Sequence, residues 1–257
     1  KQLNHQKLRR MKTTLKQQAR QLRLSGLLQT LDVRLEEARS HDLGHDEFLE
    51  LILGDELNVR GQRQIARRTK SANFREPRTL EDFDFAFNPK IDRKLVYDLA
   101  AGSFLDAGRD ILMVGPPGVG KSHLAQGIGY ALIKGGKTVL YRSIFDVVTD
   151  LGVESDYPLR HQKAMKAYLR CDLLIIDDMG IKALPPKSGE HLFEIIMRRY
   201  ELRSTLMTSN RPIEEWGKLL GDVPAATAIL DRFLHHAEII QITGKSYRLK
   251  DRAAKAR

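Results

Sequence analysis

The chain has 257 residues, 42% of them hydrophobic, enough for one sizeable core or for one core beside a smaller domain. No apolar run approaches the roughly 18 residues of a membrane span, and charges interrupt every apolar patch near the start, so neither a membrane helix nor a signal peptide is expected; the single cysteine, Cys171, cannot form an internal disulfide and fits a reducing compartment. The net charge of +10 suits a polyanionic partner, and residues 1–80 carry seven of those ten charges, a segregation that favours a dedicated binding region over a solvated basic surface.

In chain order, residues 5–20, 21–40 and 45–70 are predicted helices. Leu24, Leu27, Leu28, Leu31 and Leu35 recur at helical spacing. Gly44 breaks the pattern, His45 or Asp46 can start the next helix, and Phe48, Leu49, Ile52, Leu53 and Leu57 continue an apolar face. These helices form a small basic domain over residues 1–72. Residues 73–90, with Pro77 and Pro89 as breakers, read as a linker. Strands alternate with helices through residues 91–257. The predicted strands are 111–114, 138–142, 173–177, 205–209 and 238–242. Helical material is expected at 122–134, 144–151, 161–170 and 189–203, the last burying Leu192, Ile195, Ile196 and Tyr200. Leu173, Leu174, Ile175 and Ile176 run on without period-2 alternation, as in a parallel strand buried on both faces. The fold class is therefore α/β, a three-layer domain on a parallel five-stranded sheet.

GPPGVGKS at 115–122 matches the P-loop pattern in full, with an apolar strand before it and a helix after it. Average residue usage makes such a match in this length a chance of roughly one in a hundred. The binding residues are Gly115, Pro116, Pro117, Gly118, Val119, Gly120, Lys121, Ser122 and His123. Glycines let backbone N–H groups curl around phosphate oxygens, and the helix N-terminus adds partial positive charge. Lys121 is placed to reach the β- and γ-phosphates of ATP, and Ser122 to ligate Mg²⁺. The strand ending in Asp177 and Asp178 reads as the other half of the site, since ligands bind at the carboxyl ends of strands in open α/β sheets. Asp177 would hold the Mg²⁺ shell and Asp178 would polarise the attacking water. Alone, such an Asp pair would read as a helix cap or turn. Asn210, after Thr208 and Ser209, is either a hydrogen-bond donor to the γ-phosphate or water, or a turn residue before Arg211-Pro212.

The P-loop, the Asp-Asp pair and Thr208-Ser209-Asn210 together resemble AAA+ ATPases, and within them the DnaC/IstB group. IDDMG at 176–180, SNRP at 209–212, ILDRF at 229–233 and ITGKSYRLK at 242–250 are similar to the IstB type, a helper ATPase encoded beside the transposase in a class of bacterial insertion sequences. The resemblance covers about residues 75–250. It implies a homo-oligomeric, cytoplasmic bacterial ATPase with ATP and Mg²⁺ as ligands and a cognate transposase as partner. It makes Asn210 the sensor 1 residue, Arg232 the arginine finger acting on a neighbour's ATP, with Arg211 the alternative, and Arg248 the sensor 2 residue. Two departures stand out. Asp178 replaces the usual glutamate, and the chain stops 15 residues after Ile242, without the helical lid most AAA+ proteins carry.

Three basic groups are candidate nucleic-acid contacts. The first is residues 1–24, including Lys12, Lys16 and Arg20. The second is Arg60, Arg63, Arg67, Arg68 and Lys70, of which Arg60, Arg63 and Arg67 share one helical face. The third is Arg160, Lys163, Lys166 and Arg170. Each taken singly is equally a solvated helix face. Aromatics are sparse among them, which favours the duplex backbone over stacked single strands. The expected function is an ATP-dependent DNA-binding regulator that oligomerises on DNA and activates a transposase. The alternatives are a DnaC-like loader of a replicative helicase and an ATP-liganded DNA scaffold with little hydrolysis.

Overall fold

Three helices open the chain: α1 (residues 13–21), α2 (Ser25–Ser40) and α3 (His45–Ala72). The computed structural model describes residues 13–76, 78–151, 158–180, 184–185, 188–220 and 223–247. The chain divides into two compact units, Lys1–Arg67 and Arg68–Arg257, and α3 runs through the boundary.

In the first unit α2 and α3 touch backbone to backbone at Gly26, where a Cβ would lie 2.7 Å from both Asp55 O and Glu56 Cα. Glu56 is buried and accepts from the amides of Gly26 (2.6 Å) and Leu27 (3.0 Å), so α3 supplies the cap that the N-terminus of α2 lacks locally. Arg34 clamps Asp55 with two hydrogen bonds of 2.8 and 2.9 Å. The close approach at Glu56 turns Ile52 inward and leaves Leu49, Leu53 and Leu57 outside, Leu57 at 70% exposure. The continuous apolar face expected for α3 is thus split. Residues i and i+1 stand about 100° apart on a helix, so Leu53 and Leu57 fall away from the side on which Ile52 and Glu56 are buried.

The second unit is the expected α/β layer structure. After α4 (Arg93–Ala101) and α5 (Ser103–Asp106) come β1 (Asp110–Val114), α6 (Lys121–Lys134), β2 (Val139–Ser143), α7 (Ile144–Leu151), α8 (Pro158–Arg170) and β3 (Leu173–Met179). Then follow α9 (Ser188–Arg199), β4 (Ser204–Ser209), α10 (Trp216–Leu220), α11 (Val223–His235) and β5 (Ala237–Gln241). All strand pairs are parallel, in the order β2-β3-β4-β1-β5. Leu173 to Ile176 are fully buried because β3 is covered twice. Leu174 and Ile176 join the core with Trp216 and Phe233, while Ile175 meets α6 at Gly129. The packing there is close: a Cβ would lie 2.9 Å from Ile175 Cδ1 and 3.2 Å from Phe74 Cζ, so a larger residue makes those side chains shift.

Three local expectations change. The helix predicted over 189–203 ends at Arg199, because Glu201 adopts φ +58°, and Tyr200 is only half-buried. Helices α4, α5, α10 and α11 occupy stretches for which no element is predicted above. Residues 73–90, expected as a linker, lie within the second unit. Phe74 packs on Tyr141 (centroids 6.1 Å), Leu80 is buried against Gly127, Phe83 lies over Gly120, and Asn88 donates to Thr243 O at 2.8 Å. Helix α3 ends at Ala72, before Asn73 at φ +59°, and the apolar side chains that follow find a surface. Among the described residues no helix is long and apolar enough to cross a membrane.

Candidate nucleotide-binding site

The sheet order sets the site. β4 lies between β3 and β1, so the carboxyl ends of these strands bring Gly115, the Asp177-Asp178 pair and Asn210 to one edge. The loop from Gly115 to Gly120 then turns into α6. Gly118 (φ +82°) and Gly120 (φ +105°) adopt conformations that side chains rarely take. Chain also closes on the loop from outside. A Cβ on Gly115 would meet Ile242 O at 2.0 Å, and one on Gly120 would meet Phe83 Cε2 at 2.6 Å. Tyr247 N–H donates to Gly118 O at 2.8 Å, so part of the ITGKSY segment lies directly against the loop.

Lys121 is 5% exposed, and its Nζ donates to the carbonyls of Gly115 (2.6 Å) and Pro116 (2.8 Å). Ser122 Oγ donates to Asp177 Oδ1 at 3.0 Å across the gap between α6 and β3. Asp177, 1% exposed, also accepts from the hydroxyls of Thr208 on Oδ1 and Tyr141 on Oδ2. Burial, then the Asp177 charge, raises the pKa of Tyr141, so its hydroxyl stays protonated and remains a donor. The Ser122 hydroxyl and the Asp177 carboxylate form an all-oxygen pair, which suits a hard cation such as Mg²⁺.

Asp178 sits one residue further, at a shift in the β3–β4 register, with φ +68°. The two carboxylates have different partners, Asp177 the hydroxyls of Ser122, Thr208 and Tyr141 and Asp178 the guanidinium of Arg75. The Asp178 N–H donates to Thr208 Oγ1 at 3.2 Å, and its Oδ2 accepts from Arg75 Nη1 at 2.8 Å. Asn210 is anchored by its N–H to Met179 O at 2.9 Å. The ring of His123 turns away from the loop. Its Nε2 donates to Thr79 O at 2.8 Å and the ring meets Phe83 edge-on, while burial lowers its pKa. Pro116 and Pro117 form the exposed outer side of the loop, and Val119 is buried.

The structure does not bring Arg232 to this edge. It lies in the last turn of α11, its guanidinium 5.4 Å from the Tyr200 ring centroid, close to where β5 begins beside Asp110. That is the opposite end of β1 from Gly115, about 15 Å away by strand rise. Around it Tyr200 OH bonds His235 Nδ1 (2.7 Å), and His236 Nε2 bonds Glu201 Oε1 (3.1 Å). Arg211 is held by Gly180 O and Glu215, both at 2.8 Å. Arg248 lies outside the described residues.

Of the first basic group, Lys12 lies outside the described residues, Lys16 pairs with Asp32 at 2.5 Å and Arg20 is exposed. On α3, Arg60 pairs with Glu56 (2.6 Å) and Arg63 bonds Ser25 Oγ, while Arg67 and Lys70 are exposed and Arg68 is half-buried. Lys163, Lys166 and Arg170 are exposed along α8; the side chain of Arg160 lies outside the described residues.

Sequence reasoning missed Arg75, Tyr141 and the covering role of residues 79–88. Arg75 falls in what reads as linker, and Tyr141 reads as an ordinary strand residue, so neither carried a local signal.

The sequence profile of a family described as IstB-like ATP binding protein matches residues 17–255. A Pseudomonas aeruginosa protein, described as an ATP-binding protein of insertion sequence IS21, is 38% identical over 232 residues, covering 90% of this chain and 87% of the relative. A similarly described protein of insertion sequence IS5376 from Geobacillus stearothermophilus is 35% identical, covering 94% of this chain and 96% of the relative. Among solved structures, AMPPCP-bound DnaA from Aquifex aeolicus aligns with TM-score 0.54 at 24% identity, over 71% of this chain and 56% of that one. The DnaC helicase loader aligns with TM-score 0.50 at 24% identity, over 68% of this chain and 98% of that one. The α/β unit thus has the AAA+ P-loop fold, and the chain belongs to the family of IstB-like ATP-binding proteins.

Proposed function

We propose that this protein is a DNA-binding ATPase that assembles on duplex DNA, activates the transposase of an insertion sequence and hydrolyses ATP at sites shared between subunits. The observation that carries the reading is the division of the hydrolytic groups. Lys121, Ser122, Asp177, Asp178 and Asn210 share one edge of the sheet, whereas Arg232 stands at the other end.

In this reading the loop amides and Lys121 hold the β- and γ-phosphates, and Ser122 and Asp177 hold Mg²⁺. The cation, when bound, neutralises charge on the phosphate oxygens. Asp178 accepts a proton from water as the water oxygen attacks the γ-phosphorus. The bond to the β–γ bridging oxygen breaks, and its electron pair leaves on ADP. Asn210 positions the water, and Arg232 of a neighbouring copy stabilises the charge that develops. The basic residues of α1, α3 and α8 supply sequence-independent phosphate contacts. Names of relatives that refer to insertion sequences support the transposase as partner.

Binding of a labelled DNA duplex, with and without ATP and against salt, tests the reading together with phosphate release. ATP-dependent affinity and a steep salt slope are expected. DNA affinity indifferent to ATP and to salt would sink it.

A further inference from the structure

Arg75 is a half-exposed arginine just beyond the C-terminal end of α3, and its Nη1 donates to Asp178 Oδ2 at 2.8 Å. The preceding residue, Phe74, packs its ring on Tyr141, whose hydroxyl bonds Asp177. Phe74 also fits against Gly129 of α6, where a Cβ would be only 3.2 Å from Cζ. Two consecutive residues therefore engage both acidic positions of the site, one directly and one through a tyrosine. Both follow closely on Ala72, the last residue of the 28-residue helix that bears Arg60, Arg63, Arg67, Arg68 and Lys70.

A carboxylate oxygen that accepts from a guanidinium is not open at that lone pair to an incoming water molecule. A water-activating base needs that oxygen within hydrogen-bond reach of the water. We infer that Arg75 is a positioning residue that holds Asp178 Oδ2 away from the attacking water, and that duplex DNA gripped by α3 draws Arg75 off that oxygen. The inference rests on the proposed ATPase and DNA-binding functions, and assigns to residues 74–75 the coupling between them.

The test is steady-state phosphate release by the full chain, with and without a DNA duplex, for wild type, Arg75→Gln and Arg75→Lys. Affinity for a fluorescent ATP analogue reports on fold and site. The expected result is a basal rate for Arg75→Gln raised about tenfold at unchanged analogue affinity, with little further stimulation by DNA. Arg75→Lys, which keeps the charge, restores a low basal rate and DNA sensitivity. A purely structural role for Arg75 would move analogue affinity and melting temperature instead. A DNA-stimulated wild type with an unchanged or slower Arg75→Gln overturns the clamp and leaves the proposed function standing. If neither protein releases phosphate while both bind the analogue, the clamp and the hydrolytic reading fail together. A faster Arg75→Gln beside a wild type indifferent to DNA overturns the coupling to α3.

Discussion

At the scale of single residues, buried charges do most to set local properties. Lys121 is buried with its ammonium on loop carbonyls, so its removal leaves the loop without that cation and, in the proposed function, the phosphates as well. Lys121→Ala is expected to weaken ATP-analogue binding by at least about tenfold, measured by fluorescence titration. Asp110 is the reverse case. Burial pushes its carboxyl up to about 7, although the Thr205 amide donates to it at 2.6 Å and opposes the rise. A group whose pKa is raised by folding favours the native state fully below its unfolded pKa, and that contribution fades as pH rises through the folded value. Stability should therefore fall between about pH 4 and pH 7 by on the order of 4 kcal/mol from this group. Asp110→Asn keeps the acceptor for Thr205 and removes the titration. Melting curves should then show the wild type losing more stability than the variant as pH rises from 5 to 8.

Among the elements, two joints depend on one polar side chain each. Arg199, 1% exposed at the end of α9, donates to the carbonyls of Tyr168 (2.5 Å) and Cys171 (3.1 Å) and to Thr205 Oγ1 (3.1 Å), tying α8, α9 and β4 together. Arg199→Ala would remove the one donor that those buried acceptors share and should cost about 3 kcal/mol or more in chemical denaturation. Glu56 is the joint of the first unit. Burial raises its pKa, but Arg60 and the amides of Leu27 and Gly26 outweigh burial and hold it below the usual range. Its contribution is present above the unfolded carboxyl pKa and is lost as pH falls through the folded one. Glu56→Gln should therefore loosen α2 against α3 at neutral pH, by about 1 kcal/mol, with little further loss on acidification. Hydrogen exchange at the Gly26 and Leu27 amides would read it. Neither joint was legible beforehand. Arg199 and Glu56 look like ordinary surface charges of amphipathic helices until their partners, far off in sequence, arrive. By contrast, the five strands and the helix after the P-loop were readable, because strands buried on both faces are continuously apolar and the glycines of the loop punctuate them.

For the molecule as a whole, the placement of Arg232 bears on every functional statement. An arginine at the amino end of β5 does not reach phosphates at the carboxyl end of β1 within one chain. Arg232→Ala and Lys121→Ala should each abolish hydrolysis alone. Mixed, they should regain part of it, because subunits with an intact loop would meet intact arginines from their neighbours; a mixture as silent as its parts would exclude action in trans. The sequence by itself determined the phosphate loop, the paired aspartates and the alternation of strands and helices, because each is a local pattern of spacing and residue type. Only the tertiary structure decided which of these patterns meet. Strand order put Asn210 between the loop and the aspartates, hydroxyls from α6, β2 and β4 gathered on Asp177, and residues 73–90 folded back so that Arg75 reaches Asp178. These outcomes depend on pairings between residues far apart in the chain, which are set by the packing of the whole sheet and leave no trace in local composition.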